Sequence, residues 1–100
     1  MNNVFEIVDK TGRKIRLTKE RWKHITSPEF LHPYMTNYLE EIKQSLTKPD
    51  IIIPHKYNDM KANYYKFIKD RKQYLLVAVN YLNGEGFINT SFITSKIKKR

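Results

Sequence analysis

Residues 12–25, "GRKIRLTKERWKHI", set Arg13, Lys14, Arg16, Lys19, Arg21 and Lys23 around His24 and oppose them with one acid, Glu20. Like charges held this close repel, and an anionic partner relieves the repulsion. Histidine is the side chain whose ordinary titration falls nearest neutrality. Surrounding cations favour its uncharged form, which suits a general base. Arg21 precedes His24 by three residues, so on a helix the two share a face. There Arg21 can hold a phosphate, with Arg16 close by. The competing account makes His24 a half-buried, hydrogen-bonded helix residue and Arg21 a solvated surface charge.

Further candidates sit in apolar stretches. "NYYKF" carries Tyr65 and Lys66, which strand alternation sends to opposite faces, so only one can face a given site. Tyr64 and Tyr65 also fit plain strand packing. "INTSF" interrupts an apolar run with Thr90 and Ser91. In a regular strand Lys96 continues the face of Thr90, Phe92 and Thr94. His32, just before Pro33, is a second acid–base candidate or else a loop histidine near a helix cap.

Several chemistries lack their residues. The chain has no Walker loop, Rossmann glycine fingerprint, HExxH motif or EF-hand loop. His24, His32 and His55 lack metal-site spacing, and Asp50, Asp59 and Asp70 fall at strand ends or turns without clustering. A divalent-metal nuclease needs several converging carboxylates. No metal or other cofactor is therefore expected. RNA offers a route without metal: its 2′-hydroxyl attacks the adjacent phosphate when one group removes the proton, another protonates the leaving 5′-oxygen and cations stabilise the phosphorane.

Nineteen Lys and Arg against ten Asp and Glu give a net charge of +9 in 100 residues. Nucleic acid, an acidic protein and an anionic membrane surface are all compatible partners, and nucleic acid is favoured. The length predicts one domain over 1–100, with 94–100 a basic tail. Hydrophobic residues make up 40% and thirteen are aromatic, enough for a small core. The absence of cysteine excludes disulfides and thiolate metal sites. "MNNVFEIVDK" lacks the pattern of a signal peptide, and no apolar run approaches a membrane span, so a cytoplasmic location is expected.

These residues need elements to position them. "VFEIVD" and "KIRL", joined through "KTG", predict a β-hairpin. Thr18 is an N-cap for a short helix over 19–27, with Trp22 and Ile25 as its apolar stripe and Arg21 and His24 well off it. Pro33 opens a second helix over 34–46, with Met35, Tyr38, Leu39, Ile42 and Leu46 at helical spacing. "DIIIPH", "NYYKFIK", "QYLLVAVNY" and "GFINTSFIT" predict a four-stranded antiparallel meander. The expected class is α+β: a hairpin and two helices packed on one face of a four-stranded antiparallel sheet, the other face partly open.

Taken in order, "DKTGRKIRLTKERWKHI", "EEIKQSLTKPDIII", "YYKF", "QYLLVAVNY" and "NTSFIT" resemble the phage-associated branch of the barnase–EndoU–colicin–RelE nuclease superfamily, the PBECR-like domains. The resemblance spans roughly residues 5–96, and "RWKHI" is its most specific part. It implies helices followed by an antiparallel sheet, and a metal-independent ribonuclease acting as a toxin or effector on tRNA or mRNA. Carried over by position, the family's helix histidine falls on His24, its arginine on Arg21, its aromatic–basic strand pair on Tyr65 and Lys66, and its last-strand hydroxyl on Thr90. His24, Tyr65 and Thr90 are then the expected catalytic residues and Arg21 and Lys66 bind substrate, joined by Lys96 from the strand face and Arg16 from the basic segment. His32 stays a secondary candidate. Related sequences often place a hydroxyl-bearing aromatic two positions after the threonine, where this chain has Phe92. The expected function is a small endoribonuclease. An acidic antitoxin or immunity protein is a further expected partner. The alternative is a non-catalytic RNA- or protein-binding module on the same fold.

Overall fold

The computed structural model describes residues 3–27 and 33–97. Six strands form one mixed sheet: β1 (Asn3–Val8), β2 (Lys14–Thr18), β3 (Ile51–Pro54), β4 (Lys61–Ile68), β5 (Gln73–Leu82) and β6 (Glu85–Thr94). Their spatial order is β1-β2-β6-β5-β4-β3. Two helices, α1 (Lys19–Thr26) and α2 (Leu39–Thr47), lie between β2 and β3 in the chain.

The hairpin and the meander β3–β6 form as the alternation requires, but they are not separate. The expectation of a four-stranded antiparallel sheet is corrected to a six-stranded mixed one, because β2 runs parallel to β6 through Lys14–Glu85, Ile15–Gly86 and Arg16–Phe87. Gly86 permits this junction. A Cβ there would stand 2.8 Å from the Asn80 carbonyl oxygen and 2.8 Å from Ile15 Cδ1.

One face of the sheet carries the core. Alternate residues Ala62, Tyr64 and Ile68 of β4 and Leu75, Val77, Val79 and Tyr81 of β5 pack with Ile15, Leu17 and Ile88 under Ile25, Met35, Ile42 and Leu46. Each fully buried aliphatic side chain stabilises the fold by about 1.5–3 kcal/mol. Trp22, Tyr38 and Leu39 lie at the edge of this cluster, half-buried. The apolar stripes predicted for both helices are therefore the faces that pack.

The second helix differs in its first part. Pro33–Tyr38 is a 3₁₀ turn, and the α-helix begins only at Leu39. Tyr38 leaves helical geometry at φ −118°, ψ 20°, which separates the two pieces, and Thr36 Oγ1 donates to the Pro33 carbonyl at 2.9 Å within the 3₁₀ turn. The other end of α2 is held from β4: Lys66 Nζ donates to the Lys48 carbonyl at 2.9 Å, on an orphan oxygen past the last turn.

A buried polar group pins the β1–β2 turn to the sheet. The Asp9 carboxylate is 5% exposed. Its Oδ1 accepts from the Thr11 amide at 2.9 Å, the Thr11 hydroxyl at 2.6 Å and the Arg13 amide at 3.0 Å. Its Oδ2 accepts from the Tyr64 hydroxyl, which lies 2.7 Å from the Tyr81 hydroxyl. Arg13 closes the group, its Cζ 3.9 Å from the Tyr81 ring centroid. Burial pushes both phenols above the ordinary tyrosine range, and hydrogen bonds to Asp9 and Tyr81 push Tyr64 further. No sequence motif announced this group, because Asp9 and Tyr64 are 55 residues apart.

The opposite face holds Tyr65, Leu76, Phe67 and Tyr74. Tyr65 is fully buried and meets Tyr74 edge-on with centroids 6.5 Å apart. Phe67, 41% exposed, meets the same ring at 5.3 Å. No helix among the described residues is long and apolar enough to cross a membrane.

Candidate active site

The site is built at the junction of β2 and α1. Arg16 and Thr18 alternate with the buried Ile15 and Leu17, so they project away from the core. Thr18 then caps α1: its Oγ1 accepts from the Arg21 amide at 3.0 Å. This satisfies one of the helix's orphan donors and starts α1 directly from the strand. With Ile25 anchored in the core, His24 is exposed and Arg21 is half-buried one turn before Ile25.

β2 and β6 cease to pair after Arg16–Phe87. Between α1 and the freed run of β6 opens a cleft of about 680 Å³, lined by Arg16, Thr18, Glu20, Arg21, Lys23, His24, Ser27, Phe87 and Ile88. Three cations face one carboxylate in this lining. Glu85 stands at the rim, 3.7 Å from Arg16. Such a half-exposed pair contributes about 0–1 kcal/mol, so a phosphate can compete for the guanidinium. The floor is apolar, from Phe87 and the buried Ile88.

The predicted site residues divide. His24, Arg21 and Arg16 come together in this cleft. His24 is exposed, not the half-buried helix histidine of the competing account. Tyr65, Lys66, Thr90 and Lys96 are not part of the lining. Tyr65 is fully buried against Tyr74, which leaves its hydroxyl no surface to offer a substrate. Lys66 points to the helix side and spends its ammonium on the end of α2. Thr90 pairs with Ala78 on the second face. Lys96 does not continue that face, because β6 ends at Thr94 and the chain bends, with Thr94 Oγ1 donating to the Lys96 carbonyl at 3.3 Å. His32 lies outside the described residues, as does the end of the basic tail.

Sequence reasoning had not singled out Phe87, Ser27 or Glu20 for the site. Glu20 and His24 stand at i, i+4, a spacing visible in the sequence. Phe87 enters only through the parallel β2–β6 pairing, which local alternation does not reveal. Among the described residues no group of His, Cys, Asp and Glu is placed to hold a metal ion.

No curated protein and no solved structure matches the chain. The family model PBECR2, described as phage-Barnase-EndoU-ColicinE5/D-RelE like nuclease 2, matches residues 3–100, and the chain belongs to this family.

Proposed function

We propose that this chain is a metal-independent endoribonuclease of the toxin or effector kind, and that the β2–α1 cleft is its active site. The observation that carries the reading is the meeting of His24 with Arg21 and Arg16 in one cationic cleft over an aromatic floor. In this reading Arg16, Arg21 and Lys23 hold the scissile phosphate. His24 takes the proton of the 2′-hydroxyl as the 2′-oxygen bonds to phosphorus. The bond from phosphorus to the 5′-oxygen breaks, and solvent in the open cleft protonates that oxygen. Glu20, one turn before His24, stabilises the imidazolium that results, while the cations stabilise the phosphorane. The products are a 2′,3′-cyclic phosphate and a 5′-hydroxyl.

The same surplus of cations suits an acidic inhibitor protein, which would cover the cleft and block RNA. The test is incubation with total RNA and with purified tRNA and mRNA, in excess chelator, followed by mapping of the ends. Cleavage should persist, leave cyclic or 3′-phosphates and stop at a 2′-deoxy sugar. Cutting of DNA, or abolition by chelator, would overturn the mechanism. RNA binding without cleavage would leave the chain a binding module.

A further inference from the structure

On the sheet face away from the helices there is a second, smaller concavity of about 170 Å³. It includes three carboxamides, Asn63, Asn80 and Asn89, with Ala78 beside them and Lys61 and His55 at one side. Asparagine is a poor strand former, yet β4, β5 and β6 each contribute one here. Among the described residues no hydrogen bond engages any of the three side chains, although all three are half-buried. Three carboxamides thus present donors and acceptors to a shared space with none consumed by the fold.

The backbone places them there. Asn63 pairs with Ala78 and Asn80 with Phe87 across neighbouring strands. Asn89 is the extra residue of a β-bulge, since Ala78 pairs with Thr90 while Val79 pairs with Ile88. A bulge re-aims a side chain, and this one adds Asn89 to the group. Ala78 keeps the space between the amides open.

The concavity is a neighbour of the cleft, joined to it through the paired residues Asn80 and Phe87. One cross-strand row on this face runs Lys61, Asn80, Phe87, Arg16. Phe87 and Arg16 line the cleft, while Lys61 and Asn80 line the concavity. Neighbouring strands stand roughly 4.8 Å apart, so the two spaces are within a nucleotide's reach. At about 170 Å³ the concavity is too small for a drug-sized ligand, whose pockets measure roughly 300–1,000 Å³, and suits a single ring system.

We propose that this concavity is a nucleobase subsite that takes one unstacked base, adenine in preference, from an RNA strand whose phosphate lies in the cleft, with Phe87 as the stacking surface between them. The proposal rests on the ribonucleolytic reading only for its RNA partner. A carboxamide pairs two-fold with an exocyclic amine beside a ring acceptor. Adenine offers that pair on both its Watson–Crick and its Hoogsteen edge, so it can engage two of the three amides at once. Exposed aromatics hold unstacked bases in single-stranded RNA by stacking.

The experiment measures binding of 2′-fluoro hexanucleotides of A, C and U, which lack the attacking hydroxyl and so remain intact. The wild-type chain should favour the A strand. Asn63→Thr and Asn80→Thr keep strand-compatible side chains and drop the amide; each should cut the preference for A over U about 5- to 150-fold while U binding holds. Arg21→Ala should weaken all three strands alike. Melting curves establish that each variant is folded, and side-chain amide NMR signals of the wild-type asparagines should move on addition of the A strand. Equal binding of all strands by the wild type, or a preference untouched in both variants, would overturn the subsite and leave the RNA reading intact. Failure of all three strands to bind would overturn both.

Discussion

The hydroxyls of Tyr64 and Tyr81 lie 2.7 Å apart beneath the β1–β2 turn, with Tyr64 also donating to Asp9. Both phenols are held neutral above their ordinary range, chiefly by burial. In the unfolded chain tyrosine ionises near pH 10. A raised folded value means that the folded state keeps protons the unfolded state has lost. The stabilisation is therefore complete below about pH 10 and is lost as pH rises beyond it. Melting temperature should fall steeply above that pH. Tyr64→Phe should be less stable at neutral pH, because buried Asp9 loses a donor, and should show a shallower alkaline decline. An unchanged alkaline slope in Tyr64→Phe would show that this pair does not govern it.

Gly86 is the second point at which one residue decides the architecture. Its Cβ would clash with the Asn80 backbone oxygen, which cannot swing aside as a side-chain tip can. Gly86→Ala should destabilise the fold by about 1–3 kcal/mol, measured by urea unfolding, and should loosen the β2–β6 contact at the foot of the cleft. If Gly86→Ala is as stable as the wild type, the β2–β6 junction is more yielding than its geometry indicates.

The residues differ in how openly the sequence declares them. Thr18, Ile25 and His24 are local: a cap, an apolar stripe and an opposing polar face follow from spacing within one helix, and the structure bears each out. The meander strands were legible for the same reason. Arg16 facing Phe87 was not, because parallel pairing between residues 71 positions apart leaves no alternation signal of its own. Lys66 shows the opposite failure. Alternation puts it on the face opposite Tyr65 but does not say which face is which, and a lysine on a strand does not reveal that a helix will end within reach of its ammonium. Tyr65 was legible as a strand residue, and only the packed ring of Tyr74 shows that its face is closed there.

Lys66 accordingly gives a prediction that separates packing from substrate binding. Lys66→Met keeps the aliphatic stem and removes the donor to the Lys48 carbonyl. Stability should fall by about 0.3–1 kcal/mol, the size of a cationic contact at a helix C-terminus. RNA affinity and its salt dependence should stay as in the wild type. A reduced salt slope in Lys66→Met would instead return this lysine to the RNA-binding surface.

His24 and Trp22 lie two residues apart on α1, one exposed in the cleft and one half-buried against the core, and this contrast separates chemistry from folding. His24→Ala should lose the proton-transfer contribution, roughly 10²–10⁴-fold in single-turnover cleavage. Its melting temperature should barely move, since an exposed imidazole leaves no cavity, and RNA affinity should hold because Arg16, Arg21 and Lys23 still line the cleft. Arg21→Ala should weaken binding and reduce the slope of log affinity against log salt by about 0.7, the loss of one phosphate contact on a single strand. Trp22→Ala should act through the core, at a cost of about 3 kcal/mol, the low end for a large aromatic because the ring is only partly buried. Its cleavage should recover at temperatures where the fold survives. Cleavage at the wild-type rate by His24→Ala would remove this histidine from the chemistry and pass the proton transfer to another group of the cleft, with Glu20 next to be substituted.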